Sequence, residues 1–197
     1  KIADAMAFAR NLANEPAQFA TPTELASIAC DLGLETKIYE KEDGTKDIKV
    51  AEGILSIDRG GNKPRKDISK WSDIKPYVEY FYDEIYAPDY TMPENISKED
   101  AKAILETYKN TYNQSDDKDM WFTRIKDMCE GLGFTPNVKE YKKNPDAFKG
   151  HVGDVSTVIR IAMTSRRNTP DLYSIMQLLG EDKVMARIDS AMKGLEK

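Results

Sequence analysis

A mainly α-helical chain with a small α/β segment at its N-terminus is the fold class this sequence predicts, and three observations carry it. From residue 72 nearly to the end, apolar side chains recur at three- and four-residue spacing. Helix-start signals precede several of these stripes, notably Ser97 with Asp100 three residues on, and Thr169-Pro170. By contrast, Leu34 to Glu40 alternates apolar and polar residues, and Gly53-Ile54-Leu55-Ser56-Ile57 forms a short apolar run.

In chain order, Ile2, Ala5, Met6, Ala9 and Leu12 follow helical spacing, and Asn14-Glu15-Pro16 stops that helix. Thr21-Pro22-Thr23-Glu24 is a capping box that opens a helix through Leu25, Ile28, Ala29 and Leu32, which Gly33 closes. The alternation at Leu34 to Glu40 suits a half-buried strand, and Gly53 to Ile57 a more buried one. Asp58-Arg59-Gly60-Gly61-Asn62-Lys63-Pro64 is turn-rich, so the domain boundary is placed there: an α/β segment over 1–62 and a helical region over 63–197. The helical region divides into candidate subdomains at about 63–135 and 136–197.

Ser72 is positioned to cap a helix carrying Ile74, Tyr77, Val78, Phe81 and Ile85, with Pro76 tolerated in the first turn. Ser97 and Asp100 open a helix with Ala101, Ile104, Leu105 and Tyr108. Asp116 and Asp117 stand where a helix N-terminus favours negative charge, ahead of Trp121, Ile125, Met128 and Leu132. Three more helices are expected over 150–163, 170–179 and 182–195, with Gly180 as the break between the last two. These apolar stripes are read as core. No internal repeat or low-complexity stretch is visible.

With 197 residues and 40% hydrophobic content, the chain can bury a real core in one domain or two small ones. Its net charge of −5 argues against coating nucleic acid through bulk charge but leaves room for a local basic site. Charge is unevenly shared: Arg59 to Lys75 holds six basic residues against Asp67 and Asp73, whereas Glu79 to Asp119 holds eleven acidic residues against four lysines. Such runs are usually solvated faces. Basic clusters at 63–70 and 139–149, with Arg160, Arg166 and Arg167, offer a set that would bind RNA if the fold made them converge. Cys30 and Cys129 are too far apart for metal or redox spacing, which fits a reducing cytoplasm. No apolar run approaches the length of a membrane span, and Lys1 in place of Met suggests a trimmed or excised chain.

The residues that carry most information run from Val158 to Tyr173. A loop holding Arg166 and Arg167 leads to Thr169 and Pro170, a residue pair suited to N-cap and first helical position. A helix start exposes N–H donors, the guanidinium groups of Arg160, Arg166 and Arg167 supply charge, and Tyr173 supplies a ring. Phosphate binding, base-edge recognition and stacking of single-stranded RNA need those three things. An ordinary surface helix-loop-helix with a satisfied cap has the same signature. Enzymatic motifs are lacking. His151 is the only histidine, no Gly-x-Ser-x-Gly elbow accompanies it, and its place after Gly150 suits capping or beginning a helix. Gly44, Gly53, Gly60 and Gly61 form neither a P-loop nor a dinucleotide fingerprint, and the carboxylates show no pairing signal.

Lys63-Pro-Arg-Lys-Asp-Ile68, Lys70-Trp-Ser-Asp73, Tyr80-Phe-Tyr82, Trp121-Phe122, Lys139-Glu-Tyr-Lys142, and above all Gly150-His-Val-Gly-Asp-Val155 through Leu178-Leu-Gly-Glu181 resemble the anticodon-binding region of bacterial glutamyl-tRNA synthetases. The likeness covers about 63–197, roughly two thirds of the chain, and the last fifty residues are its specific part. It implies a helical anticodon-binding body that receives the anticodon loop of the tRNA for glutamate. By the same resemblance Arg160 stands for the family's anticodon-reading arginine. Thr169 and Pro170 stand for its Thr-Pro pair, followed by Leu172, and Tyr173 fills the aromatic position. Arg65 is a weaker match to an arginine that helps judge the third anticodon base. Where this family usually has Gly, this chain has Ser165.

Residues 1–62 differ. Ala9-Arg-Asn-Leu-Ala-Asn-Glu-Pro16, Thr21-Pro-Thr-Glu-Leu25 and Gly53 to Gly61 resemble the segment of leucyl aminopeptidases, M17-type peptidases, that precedes their catalytic domain. The metal-holding lysine, aspartates and glutamate of that family lie in a Gly-rich sequence that this chain lacks, so no metal site and no peptidase activity are expected. The synthetases' ATP-binding signatures are also missing. The chain is therefore expected to hold no catalytic residue and no cofactor; ATP and magnesium would belong to a full-length ligase. The resemblance implies a tRNA partner, a cytoplasmic setting without membrane contact, and a monomer. The alternatives are an aminopeptidase-related fragment, or a recombined hybrid without activity.

Overall fold

The computed structural model describes residues 53–54, 56–59 and 74–196. The helices expected at Ile2–Leu12 and Thr21–Leu32, the strand at Leu34–Glu40, Ser72, Arg65 and the basic cluster at 63–70 lie outside the described residues. Residues 49–197 form one compact unit.

Seven α-helices make up the described part: α1 (Ile74–Val78), α2 (Lys98–Thr111), α3 (Lys118–Gly131), α4 (Val138–Lys143), α5 (Val152–Thr164), α6 (Leu172–Leu179) and α7 (Glu181–Leu195). Short 3-10 turns follow α1 at Glu79–Phe81 and α4 at Pro145–Ala147. Among the described residues the only β pairing is the isolated bridge between Thr135 and His151.

The expected helix starts at Ser97 and Asp117 are present. Ser97 accepts a hydrogen bond from the Asp100 N–H at 3.0 Å and donates to the Asp100 carboxylate at 2.8 Å. Asp117 accepts from the Met120 N–H at 2.8 Å. His151 caps α5, its Nδ1 accepting from the Gly153 N–H at 2.9 Å while the Asp154 carboxylate accepts from the His151 N–H at 2.8 Å. This is a capping box in which an imidazole takes the place of a hydroxyl. Gly180 separates α6 from α7 with a φ of +78°, a backbone region that glycine enters without a Cβ clash.

The core is built around α5, which packs against α2, α3 and α7. Its second half is apolar nearly all round: Val158, Ile159, Ile161, Ala162 and Met163 are each at most 1% exposed. A helix apolar on every side has to be central. Tyr108 of α2 joins three elements there. Its hydroxyl accepts from Trp121 Nε1 of α3 at 2.8 Å and donates to Met176 Sδ of α6 at 3.3 Å. Burial pushes that phenol well above its usual range, so it stays protonated as a donor.

Three expected elements are corrected. Gly53, Ile54 and Ser56 have helical backbone rather than strand. Ser56 Oγ donates to the Gly53 carbonyl at 3.0 Å, and Ile54 and Ile57, three apart, enter the core together. A short apolar run fits either structure until a partner strand exists to receive it. The helix expected to reach Ile85 ends its α part at Val78 and tightens into the 3-10 turn; Tyr82 is already extended. Tyr77, Tyr80 and Phe81 are the buried side chains of that segment. Finally, the helix expected from Pro170 starts at Leu172.

Candidate nucleic-acid interface

The reason for that late start lies in Arg160. Its guanidinium Nη1 donates to Thr169 Oγ1, to the Pro170 carbonyl at 3.0 Å and to the Thr169 carbonyl at 3.4 Å. Thr169 in turn donates its hydroxyl to the Pro170 carbonyl at 2.9 Å. Thr169 is 6% exposed, so its side chain faces the protein and cannot serve the next helix. Asp171 takes the capping role: its carboxylate accepts from the Ser174 N–H at 3.0 Å and Oγ at 2.8 Å. Thr169 and Pro170 are therefore loop residues held by Arg160, not the N-cap and first helical position.

The loop from Ser165 to Pro170 is fixed at its other end too. Ser165 closes α5 in the left-handed conformation, φ +57°, with its N–H donating to the Ile161 carbonyl at 2.8 Å. That is the conformation in which glycine is usual. Thr164 Oγ1 donates to the Arg160 carbonyl at 2.8 Å and accepts from the Arg166 N–H at 3.3 Å. Arg166 pairs with Glu79 at 2.5 Å, while the exposed Arg167 donates to the Met92 carbonyl at 3.3 Å. Asn168 beside it is exposed.

The remaining candidate residues point inward. Leu172 is 2% exposed and belongs to the core. The Tyr173 hydroxyl donates to the Asp116 carbonyl at 2.9 Å, and its ring lies 5.6 Å from that of Trp121. Tyr173 is half-buried. Thr169, Pro170, Arg166 and Arg167 thus share one loop, held by Arg160 of α5, whereas Leu172 lies in the core and Tyr173 packs against Trp121.

Asp171 is the capping residue of α6. Asp at N-cap with Ser three residues on was a legible signal, hidden by the more conspicuous Thr-Pro pair. Burial pushes the Asp171 carboxyl up, yet its bonds to Lys118 and Ser174 prevail and hold it below the ordinary aspartate value. Lys118 Nζ lies 2.7 Å from it, tying the start of α3 to the start of α6.

The second basic cluster sits elsewhere. α4 carries Lys139, Lys142 and Lys143, all exposed, and packs near the N-terminal end of α5 through the edge-on contact of Tyr141 with His151 at 5.2 Å. The arginine loop stands at the opposite end of that helix, about 20 Å away by the rise of its turns. The two clusters therefore do not meet at a point.

Residues 139–192, which include the buttressed arginine loop, match the family model described as the anticodon binding domain. Over most of its length the chain is similar to glutamate–tRNA ligases. It is 45% identical over 160 residues to that of Clostridium perfringens strain 13, covering 77% of this chain and 29% of the relative. It is 47% identical over 135 residues to that of Acetivibrio thermocellus, covering 68% and 25%, and 40% identical over 147 residues to that of Sorangium cellulosum, covering 73% and 25%. The chain thus spans between a quarter and three tenths of the curated relatives it matches.

Proposed function

We propose that this chain reads the anticodon loop of the tRNA for glutamate, as the anticodon-recognising part of a glutamate–tRNA ligase. The observation that carries the reading is the Arg160 clamp: within an anticodon-binding region, one guanidinium fixes Thr169 and Pro170 so that Arg166, Arg167 and Asn168 are presented on a closed loop. The reaction at this site is recognition without bond making. Arginine contacts to phosphate position the loop, and donors toward base edges discriminate, each good contact contributing about 1 to 3 kcal/mol. Arg65 is kept in this reading as a contributor at the third anticodon base.

In the same reading the chain works in the cytoplasm as a monomer. Among the described residues no helix is long and apolar enough to cross a membrane. Aminoacylation, with ATP and magnesium, falls to the catalytic part of a full-length ligase. The aminopeptidase-like segment serves as structural support.

Replacing Arg160 by Ala tests the reading. Binding to the anticodon stem-loop of the tRNA for glutamate, and to the same stem-loop with one anticodon base changed, is measured by titration at fixed salt. The preference between the two should shrink by about tenfold or more, the size of one lost specific contact. An Arg160→Ala protein that is folded and keeps the full preference would remove Arg160 from the assignment.

A further inference from the structure

We infer that Ser165, Tyr86 and Arg187 are positioning residues that set the shape of the Ser165–Pro170 loop, and through it the anticodon preference. The inference rests on the function proposed above. Ser165 occupies a left-handed backbone position where a glycine would be freer, so what the serine adds is its hydroxyl. That hydroxyl accepts from the Asp89 N–H at 2.8 Å and shares a hydrogen bond with the Tyr86 hydroxyl at 2.7 Å. Both partners come from a segment more than seventy residues earlier in the chain.

Tyr86 is itself held from the far side. The Arg187 guanidinium, on α7, lies 4.3 Å from the centre of the Tyr86 ring. Arg187 is 6% exposed and tied at two points: Nη1 donates to the Met163 carbonyl at the end of α5 at 2.5 Å, and Nη2 to Asp83 at 3.0 Å. A buried cation against the last carbonyls of α5 also suits the negative end of that helix. The stretch from Glu79 to Met92 thus touches the loop or its support at five points: Glu79 to Arg166, Asp83 to Arg187, Tyr86 and Asp89 to Ser165, and Met92 to Arg167. None of Tyr86, Ser165 and Arg187 needs to touch RNA in order to decide where Arg166 and Arg167 stand.

The test uses the full chain and the variants Ser165→Gly, Tyr86→Phe and their double, each checked by thermal melting. Ser165→Gly removes the hydroxyl while relieving the left-handed backbone, so its melting point should stay close to that of the parent. Its affinity for the cognate anticodon stem-loop should fall about fivefold or more, the worth of one to two ordinary hydrogen bonds, with a smaller change for the altered anticodon. Tyr86→Phe, which removes one of the two bonds that Ser165→Gly removes, should act in the same direction by a smaller factor, and the double variant should be no weaker than Ser165→Gly, because the Tyr86 bond is already lost in it. Amide exchange over residues 166–169 in the free protein should rise in all three. If Ser165→Gly binds, discriminates and exchanges as the parent does, the inference is overturned while the proposed function stands. If the parent shows no anticodon preference, the proposed function fails and the positioning of an anticodon reader fails with it, whereas the exchange rates still show whether Ser165 holds the loop.

Discussion

Arg166 and Glu79 face each other across 2.5 Å, their side chains 37% and 27% exposed, so the loop's basic side chains are not all equally available to a phosphate. An anion that approaches Arg166 competes with a carboxylate already in place. Glu79→Gln should therefore raise affinity for RNA generally, whatever its anticodon, and steepen the dependence of log affinity on log salt by up to about one phosphate contact. Titrations at several salt concentrations measure both quantities. An unchanged slope would mean that Arg166 meets no phosphate. Arg160 differs in kind, since it holds Thr169 and Pro170 through the terminal Nη1, one bond farther from the backbone than a lysine ammonium extends. Arg160→Lys should accordingly behave like Arg160→Ala in anticodon preference.

Helix α6 shows best what a sequence discloses and what it withholds. The Thr169-Pro170 pair gave a correct location for a helix start to within two residues, but the true cap, Asp171, was decided by Arg160 claiming Thr169 from a neighbouring helix. Asp171→Ala should lower stability by about 1 kcal/mol, the cost of a lost N-cap, as read from denaturant midpoints; no change would mean that the Asp171 cap contributes nothing to the fold. Local signals served well where the cap and its acceptor lie three residues apart, as at Ser97 and Asp117, and where one glycine ends a helix, as at Gly180. They were silent on α4, six residues long with no buried side chain and hence no apolar stripe to read. They misread Gly53 to Ile57, because an apolar run carries no record of whether a strand will pair with it. Of the candidate site, the arginine loop was legible; its braces at Glu79, Tyr86 and Asp89 were not, since contacts across seventy or more residues leave no spacing to detect.

At the scale of the whole molecule, stability depends on a few polar junctions inside an apolar body. Tyr108 links α2, α3 and α6, and Tyr108→Phe would leave the buried Trp121 N–H without its acceptor, at a cost of about 1 to 3 kcal/mol in equilibrium unfolding. Acid acts on other junctions. Burial raises Asp83 and Asp171, but their bonds to Lys183 and Arg187, and to Lys118 and Ser174, win; Asp100 is lowered foremost by Lys149. A carboxyl lowered by folding stabilises the protein fully above its unfolded value near 3.8, and that stability is lost as pH falls through the lower folded value. Unfolding free energy should therefore be flat in these contributions at neutral pH and drop below about pH 4, as followed by circular dichroism. The central claim, that this helical body is an anticodon reader, is tested most directly by binding the chain to the tRNA for glutamate, and to the same tRNA with a changed anticodon, at near-physiological salt. The account predicts clear preference for the unaltered anticodon; equal affinity for the two, or none for either, would contradict it.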